Sequence, residues 1–370
     1  MNEANGLFTA KMIAPCGLDC SLCARALDSE APCPGCNGPD INKPSFCSEK
    51  CGIVLCGRRK ENGFAFCDEC PEYPCGDVME KECRYTRAYP LVESPLKNLR
   101  FIREKGMEPF LEREKARWTC GECGGVICVH TGVCSACGKK YGVQVIRMGE
   151  DTWRIEDGGV RFFLLAGKEK ALMIDSGMNV PQAREIAETL TDLPVELLNT
   201  HADRDHIGCN DEFESFYMHP ADEDQYRGSG KGGRLIPLRD GGEMDLGDRR
   251  LKIIHLPGHT PGSVAVLDVR DRVLISGDPI QEHGRIFMFG QHRNMRDYIN
   301  SLKRLETISA EFDMIWPSHA DLPLSPDAVG RVRTGAERIL SGEAEGRRVE
   351  FFGRSIVLYE MGTTAFLCES

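Results

Sequence analysis

Residues Thr200 to Gly208 read T-H-A-D-R-D-H-I-G, and no other stretch constrains the fold so strongly. His201, Asp203, Asp205 and His206 crowd together, with Ala202 the only apolar residue among them. Spacing at i, i+2, i+4 and i+5 matches neither one helix face nor one side of a strand. It predicts a loop that wraps a metal ion. The apolar Val195, Leu197 and Leu198 just before it place that loop at the carboxyl end of a strand. Three later segments repeat the arrangement. Gly258-His259-Thr260-Pro261-Gly262 follows strand-like Leu251 to Leu256, Ser276-Gly277-Asp278 follows Arg272 to Ile275, and Pro317-Ser318-His319 follows Met314 to Trp316.

In this order the motifs resemble those of the metallo-β-lactamase fold superfamily: H-x-H-x-D-H, then G-H-T-P-G, then G-D, then a final His. The resemblance covers residues 143–370. It implies an α/β (α+β) fold, an αββα sandwich with metals at one edge between the sheets. It also implies a ligand set: His201, Asp203 and His259 for one ion, Asp205, His206 and His319 for another, and Asp278 bridging both. Asp203 stands where the family has its second His. Oxygen donors favour harder ions, so iron or manganese competes with zinc for the two divalent positions; a non-binding Asp203, leaving one weak site, is the alternative.

The resemblance also implies the chemistry. Two divalent ions about 3.5–4 Å apart share a hydroxide and lower its pKa toward ~7. Asp205 and Asp278 are then the catalytic carboxylates, Asp205 orienting the nucleophile. Asp175, in Ile174-Asp175-Ser176-Gly177, is expected either to hold the ligand loop or to serve as a turn residue. His292 and Arg293, after the bridging Asp, are candidates to grip a substrate carboxylate or phosphate, or belong to a solvated loop. His255 is expected to be buried structurally and His219 to lie at the surface.

Length and composition bound the rest. A chain of 370 residues is expected to form more than one domain. No apolar run is long enough for a membrane span, and the N-terminus lacks a secretory pattern, so a cytoplasmic protein is expected. A net charge of −11 argues against a general nucleic-acid binder. Of 19 cysteines, only Cys209 and Cys368 follow residue 141. That shift marks a boundary near Lys139 to Gly142. In a reducing compartment paired cysteines read as metal ligands.

The front part divides into residues 1–92, a cysteine-rich metal-binding domain, 93–118, a linker of two short helices, and 119–142, a ribbon-like module; 143–370 is the catalytic domain. In the first, Cys16, Cys20, Cys23, Cys33, Cys36, Cys67, Cys70 and Cys75 are candidate ligands of structural zinc or iron. The run from Met12 to Cys20, with a later F-C-x2-C-P-x-Y-P-C, resembles an uncharacterised cysteine-rich prokaryotic family over residues 10–92. Cys16-x3-Cys20-x2-Cys23 matches the spacing of radical enzymes, but irregular sequence follows where a partial barrel is required. An ordinary iron–sulfur cluster stays open beside zinc. Cys120-x2-Cys123 and Cys134-x2-Cys137 resemble a zinc ribbon or a rubredoxin knuckle, with Cys128 and His130 as local structural residues.

Within 143–370, strands are expected at Val143–Arg147, Phe162–Leu165, Leu172–Ile174 and in short runs over 348–368. Helices are expected at Pro181–Leu190 and Arg296–Ser309. Gly228 to Gly233 lacks phosphate-loop spacing and reads as a loop. The leading functional expectation is hydrolysis of a small ester, thioester or lactone. A di-iron oxidoreductase related to flavodiiron proteins, with a rubredoxin-like iron site, is the first alternative. A nuclease or phosphodiesterase is the second, because some DNA-uptake proteins of the superfamily also carry H-x-D-x-D-H. The expected partner is a small-molecule substrate, with the cysteine modules available to a protein partner.

Overall fold

The computed structural model describes residues 6–178, 180, 182–351 and 353–369. The chain divides into two compact units, Met1–Val143 and Gln144–Ser370.

In the second unit a seven-stranded sheet follows chain order from Gln144–Gly149 to Arg234–Pro237. A five-stranded sheet runs in the order Met314–Pro317, Val273–Gly277, Val264–Asp268, Arg250–His255, Glu243–Asp245. Alternation along these strands builds two cores at once, because successive side chains point to opposite faces. Leu251, Ile253, Val264, Val266, Val273 and Ile275 pack against Phe163, Leu165, Leu172, Ile174 and Leu198 of the first sheet. Ile254, Ala265, Leu267 and Leu274 face the other way, onto the helices Met295–Thr307 and Ala328–Ser341. Val264–Asp268 and Val273–Gly277 are consequently buried at every position, as strands covered on both faces must be. The fold is an αββα sandwich.

A third, four-stranded sheet takes three of its strands from the short β-rich runs expected over 348–368; only its fourth was not legible in the sequence. It joins Arg285–Met288 to Thr364–Glu369, Arg354–Met361 and Arg347–Phe351. Arg285 therefore starts a strand paired in parallel with the last strand, in a segment whose four residues gave no usable periodicity. The expected helix at 181–190 is Ala183–Leu190; Pro181 lies outside the described residues.

The first unit has helices Gly76–Arg87, Pro95–Lys105 and Met107–Trp118. Ser94 accepts from the Lys97 amide and Pro95 takes the first position, both favourable at a helix start. Gly106, at φ 94°, separates the second helix from the third. These two helices are not a free linker. Phe110, Glu114 and Trp118 are fully buried, and the Trp118 indole donates to Glu114 Oε2 at 2.9 Å. An aromatic face this large has to be covered within its own unit.

Candidate active site and thiol sites

Five of the site residues follow strands, and within each sheet those strands run the same way. Val273–Gly277 pairs in parallel with Met314–Pro317, and Arg250–His255 reaches the same direction through two antiparallel steps. Ala171–Ile174 and Val195–Leu198 are parallel in the other sheet. Asp175, His201, His259, Asp278 and His319 thus follow strand carboxyl ends, where open sheets place their sites. The first motif is not wholly a loop, as its spacing suggested. His201 and Ala202 lie in irregular chain, Asp203 is extended at the start of a one-turn helix Arg204–Ile207, and that turn carries Asp205 and His206. An i, i+2 pair from irregular chain and an i+4, i+5 pair from a helical turn converge where neither geometry alone would.

Donor atoms of His201, Asp203, His259 and Asp278 lie within 4.8 Å of one another, and so do those of Asp205, His206 and His319. Asp278 connects the sets. Its Oδ1 is 3.2 Å from His206 Nε2 and 3.3 Å from His319 Nε2; its Oδ2 is 3.5 Å from His259 Nε2 and 3.9 Å from His201 Nε2. Asp205 Oδ2 stands 3.2 Å from His319 Nε2. Asp203 Oδ2 stands 3.4 Å from His259 Nε2 and 3.5 Å from His201 Nε2.

Buried polar atoms are normally hydrogen-bonded. Here His201 Nε2, His206 Nε2, both nitrogens of His259, and Asp278 Oδ1 are buried without a hydrogen-bond partner. Such a concentration of orphaned lone pairs, on imidazole and carboxylate, fits divalent cations. The surrounding bonds orient three rings. His206 Nδ1 meets Asp175 Oδ2 at 2.7 Å, and His319 Nδ1 meets the Gly159 carbonyl at 2.7 Å. The Thr200 hydroxyl donates to Asp175 Oδ2 at 2.7 Å, so it accepts from His201 Nδ1 at 3.0 Å. Each bond puts the proton on Nδ1 and leaves Nε2 free to face the site.

Electrostatics follow the same layout. Burial lowers His206, but the Asp278, Asp175 and Asp205 carboxylates outweigh it and raise its pKa well above the usual imidazole range. His319 is likewise pushed up to about 10, against burial, by Asp278 and Asp205. Burial, with the Arg293 guanidinium next in weight, brings His259 down to about 4.

Sequence reasoning missed the residues that tie the loops together. Asp222 is buried. Its Oδ2 accepts from the Ala202 amide at 3.1 Å and the Thr260 hydroxyl at 2.7 Å, and its Oδ1 from the Gly262 amide at 2.6 Å. Nothing in Pro220-Ala221-Asp222-Glu223-Asp224 distinguishes this carboxylate from a surface acidic run. Gly262 has to be glycine, since a Cβ there would stand 2.6 Å from Asp222 Cγ. Gly258, at φ 133°, leaves no room either: a Cβ would meet the Tyr298 backbone at 2.3 Å.

Asp203 is held by two further groups. Gln225 donates to its Oδ1 at 2.7 Å and Arg293 donates to its Oδ2. Arg293 therefore faces Asp203 in the site rather than standing in a solvated loop, while His292 is exposed. A carboxylate has about four lone-pair positions, so these bonds leave Asp203 able to ligate. His255 and His219 are both half-buried and stack at 3.9 Å, so neither expectation for them describes the pair.

In the first unit Cys120, Cys123, Cys134 and Cys137 bring their sulfurs within 4.8 Å of one another. Cys120 to Cys137 is 3.7 Å and Cys123 to Cys134 is 3.5 Å. Four sulfurs at ~2.3 Å from one ion stand roughly 3.8 Å apart, so this quartet fits one tetrahedral metal. Burial raises the Cys120 thiol, but the Tyr141 hydroxyl and the amides of Cys123 and Glu122 outweigh it and bring it to about 6. His130 is engaged elsewhere, with Tyr85 and the Ala24 amide. Cys67, Cys70 and Cys75 line a cavity of ≈ 160 Å³. Cys16, Cys20, Cys23, Cys33 and Cys36 line another.

Residues 155–319 match the model of the metallo-beta-lactamase superfamily, and the second unit carries a domain of that superfamily. The human acyl-coenzyme A thioesterase MBLAC2 is 26% identical over 184 residues, 39% of this chain and 66% of that protein. The hydroxyacylglutathione hydrolase of Gloeobacter violaceus is 33% identical over 144 residues, 37% of this chain and 55% of that protein. The chain thus spans less than two thirds of these relatives' length. A metallo-beta-lactamase from Pontibacter korlensis superposes with a TM-score of 0.48 at 15% identity, covering 53% of this chain and 99% of that one. Among the described residues no helix is long and apolar enough to cross a membrane.

Proposed function

We propose that the second unit is a metal-dependent hydrolase of a small acyl substrate, with an acyl thioester ahead of an ester or lactone. The observation that carries the reading is the set of orphaned buried donors around Asp278. The names of the relatives, an acyl-coenzyme A thioesterase and a hydroxyacylglutathione hydrolase, support the order of substrates.

Two divalent ions fit the residues present, zinc first, with iron or manganese admitted by the carboxylates. His201, Asp203 and His259 would hold one, Asp205, His206 and His319 the other, and Asp278 would serve both. When bound, they supply Lewis acidity and bring the pKa of water into the neutral range. The chain's own residues do the positioning. Asp175 holds His206 and, through Thr200, His201 in one tautomer. The Gly159 carbonyl does the same for His319. Asp205, partly exposed, would orient an incoming water. Arg293, already at the site, is placed to share its charge between Asp203 and an anionic group of the substrate. We read the setting as cytoplasmic, because thiol ligands persist in a reducing compartment.

The test uses the full chain against acyl-coenzyme A, hydroxyacylglutathione, ester and lactone panels, with the metal content measured alongside. His259→Ala should lose metal and turnover together. Turnover that survives His259→Ala and Asp278→Asn on every active substrate sinks the reading.

A further inference from the structure

The first unit encloses a cavity of ≈ 320 Å³ lined by seven cysteines, Cys16, Cys20, Cys36 and Cys47 among them. We propose that this cavity binds a polynuclear iron–sulfur cluster held by thiolates of these residues. The inference rests on none of the hydrolase chemistry above.

Spacing argues for a cluster rather than a lone ion. One tetrahedral ion draws its sulfurs to roughly 3.8 Å from one another, as the Cys120 quartet shows within the same unit. Among the described residues, no three of the cavity's cysteines come within 4.8 Å in that way. In a four-iron cluster each thiolate binds its own iron, so the ligands surround a core instead of converging on one point. Cys20 and Cys36 are a pair in side-chain contact, and the Cys36 amide donates to Cys20 Sγ at 3.4 Å.

Volume argues the same way. A single bound ion needs no more room than one water, about 10–15 Å³ of space open to the centre of a water-sized sphere; this cavity is more than about twenty times larger. Two of its thiols are withdrawn from solvent, Cys16 at 3% and Cys51 at 7% exposed, and the other five are half-buried.

Charge is the third line. Four thiolates around an iron–sulfide core carry net negative charge, and buried charge has to be matched. The wall supplies cations. Lys81 is buried, and the carboxylate 3.6 Å from its Nζ belongs to Glu80, which is half-exposed. The Lys43 side chain is 3% exposed; its Nζ donates to the carbonyls of Cys36 and Gly38 and, at 3.0 Å, to the exposed carboxylate of Asp40. Arg25 and Arg84 also line the cavity, with Asp28 at 3.4 Å and Glu80 at 2.9 Å as their partners, and among the described residues Asp19 is the one carboxylate of the lining.

The test begins with the full chain, produced with iron and sulfide supplied and purified without oxygen. Iron, zinc and acid-labile sulfide are then counted, and spectra are recorded before and after dithionite. Expected are iron and sulfide in near-equal amounts, broad visible absorption that fades on reduction, and a paramagnetic signal in the reduced protein. Cys16→Ser and Cys36→Ser should lose the sulfide, whereas Cys83→Ser, at an exposed thiol outside the lining, should keep it. Because serine variants can fail to fold, the parent chain decides on its own. Zinc without labile sulfide, or iron without it, overturns the proposal; so does sulfide that is lost from Cys83→Ser but kept in both cavity variants.

Discussion

In residues 144–370 the donors stand at the rim of a core that does not need them. Phe163, Val266, Ile275 and Trp316 fill the space between the sheets, and Leu302, Val332 and Phe366 fill the layer beneath the helices. In residues 6–143 the donors are part of the core. Cys120 and Cys134 pack in one cluster with Trp118, Leu22 and Val126, and Cys16 and Cys51 pack in another with Ile53 and Val78. The first arrangement lets ligands be tuned for reactivity without endangering the fold. The second ties folding to the bound group, as small metal-dependent modules do.

Several experiments can break this contrast. The largest effect is expected from stripping metals anaerobically with a chelator and following hydrogen exchange. Structural zinc contributes roughly 10–16 kcal/mol in small modules, more than most domains have to spare. Amides of Trp118 to Tyr141 should lose protection, while those of Val264–Asp268 and Val273–Gly277 keep it. Equal loss in both units removes the distinction.

Asp278→Asn comes next. Turnover should fall by more than about 100-fold, beyond what a residue supporting a ligand costs, with the melting temperature of the second unit little changed. Asp222→Ala should do the reverse. It strands the Ala202 and Gly262 amides, at about 1–3 kcal/mol for each buried unsatisfied group, so denaturant melts of the second unit should shift to lower midpoints. Asp175→Asn removes the acceptor that fixes His206, and metal affinity measured by competition should drop about 10–100-fold.

The smallest effect concerns Glu93 in the first unit. Burial, with the Glu114 and Asp19 charges adding, raises its carboxyl well above the usual range despite the Asp19 amide. A raised acid stabilises the fold fully below its unfolded pKa, and that contribution is lost as pH rises through the folded value. Glu93→Gln stays neutral throughout. Melts from mildly acidic to mildly alkaline pH should show the variant gaining on the parent as pH rises; parallel curves would remove Glu93 from the account.

The ligand motifs were legible because each couples a strand-like run to a Gly- or Pro-flanked His or Asp. His201, His259, Asp278 and His319 are brought to one site as the resemblance implies, though no sequence rule assigns their roles. Asp222, Gln225 and the Arg293–Asp203 pair were not legible. They act across 20 to 90 positions of chain, and their local sequence looks like ordinary polar surface. In the third sheet only Arg285–Met288 escaped, for the same reason: it finds its partner at Thr364–Glu369, and a short strand carries no mark of a distant neighbour.

The sequence by itself determined the chemical inventory: imidazoles and carboxylates after strands in one half, thiols beside turns in the other. Local spacing suffices for that, because a strand end or a knuckle is built from a few consecutive residues. Only the tertiary structure decided which donors share a centre, which hydrogen bonds orient them, and which thiols crowd one point rather than surround a hollow. Those relations depend on the packing of sheets and helices far apart in the chain, and packing is set by the whole core rather than by any motif.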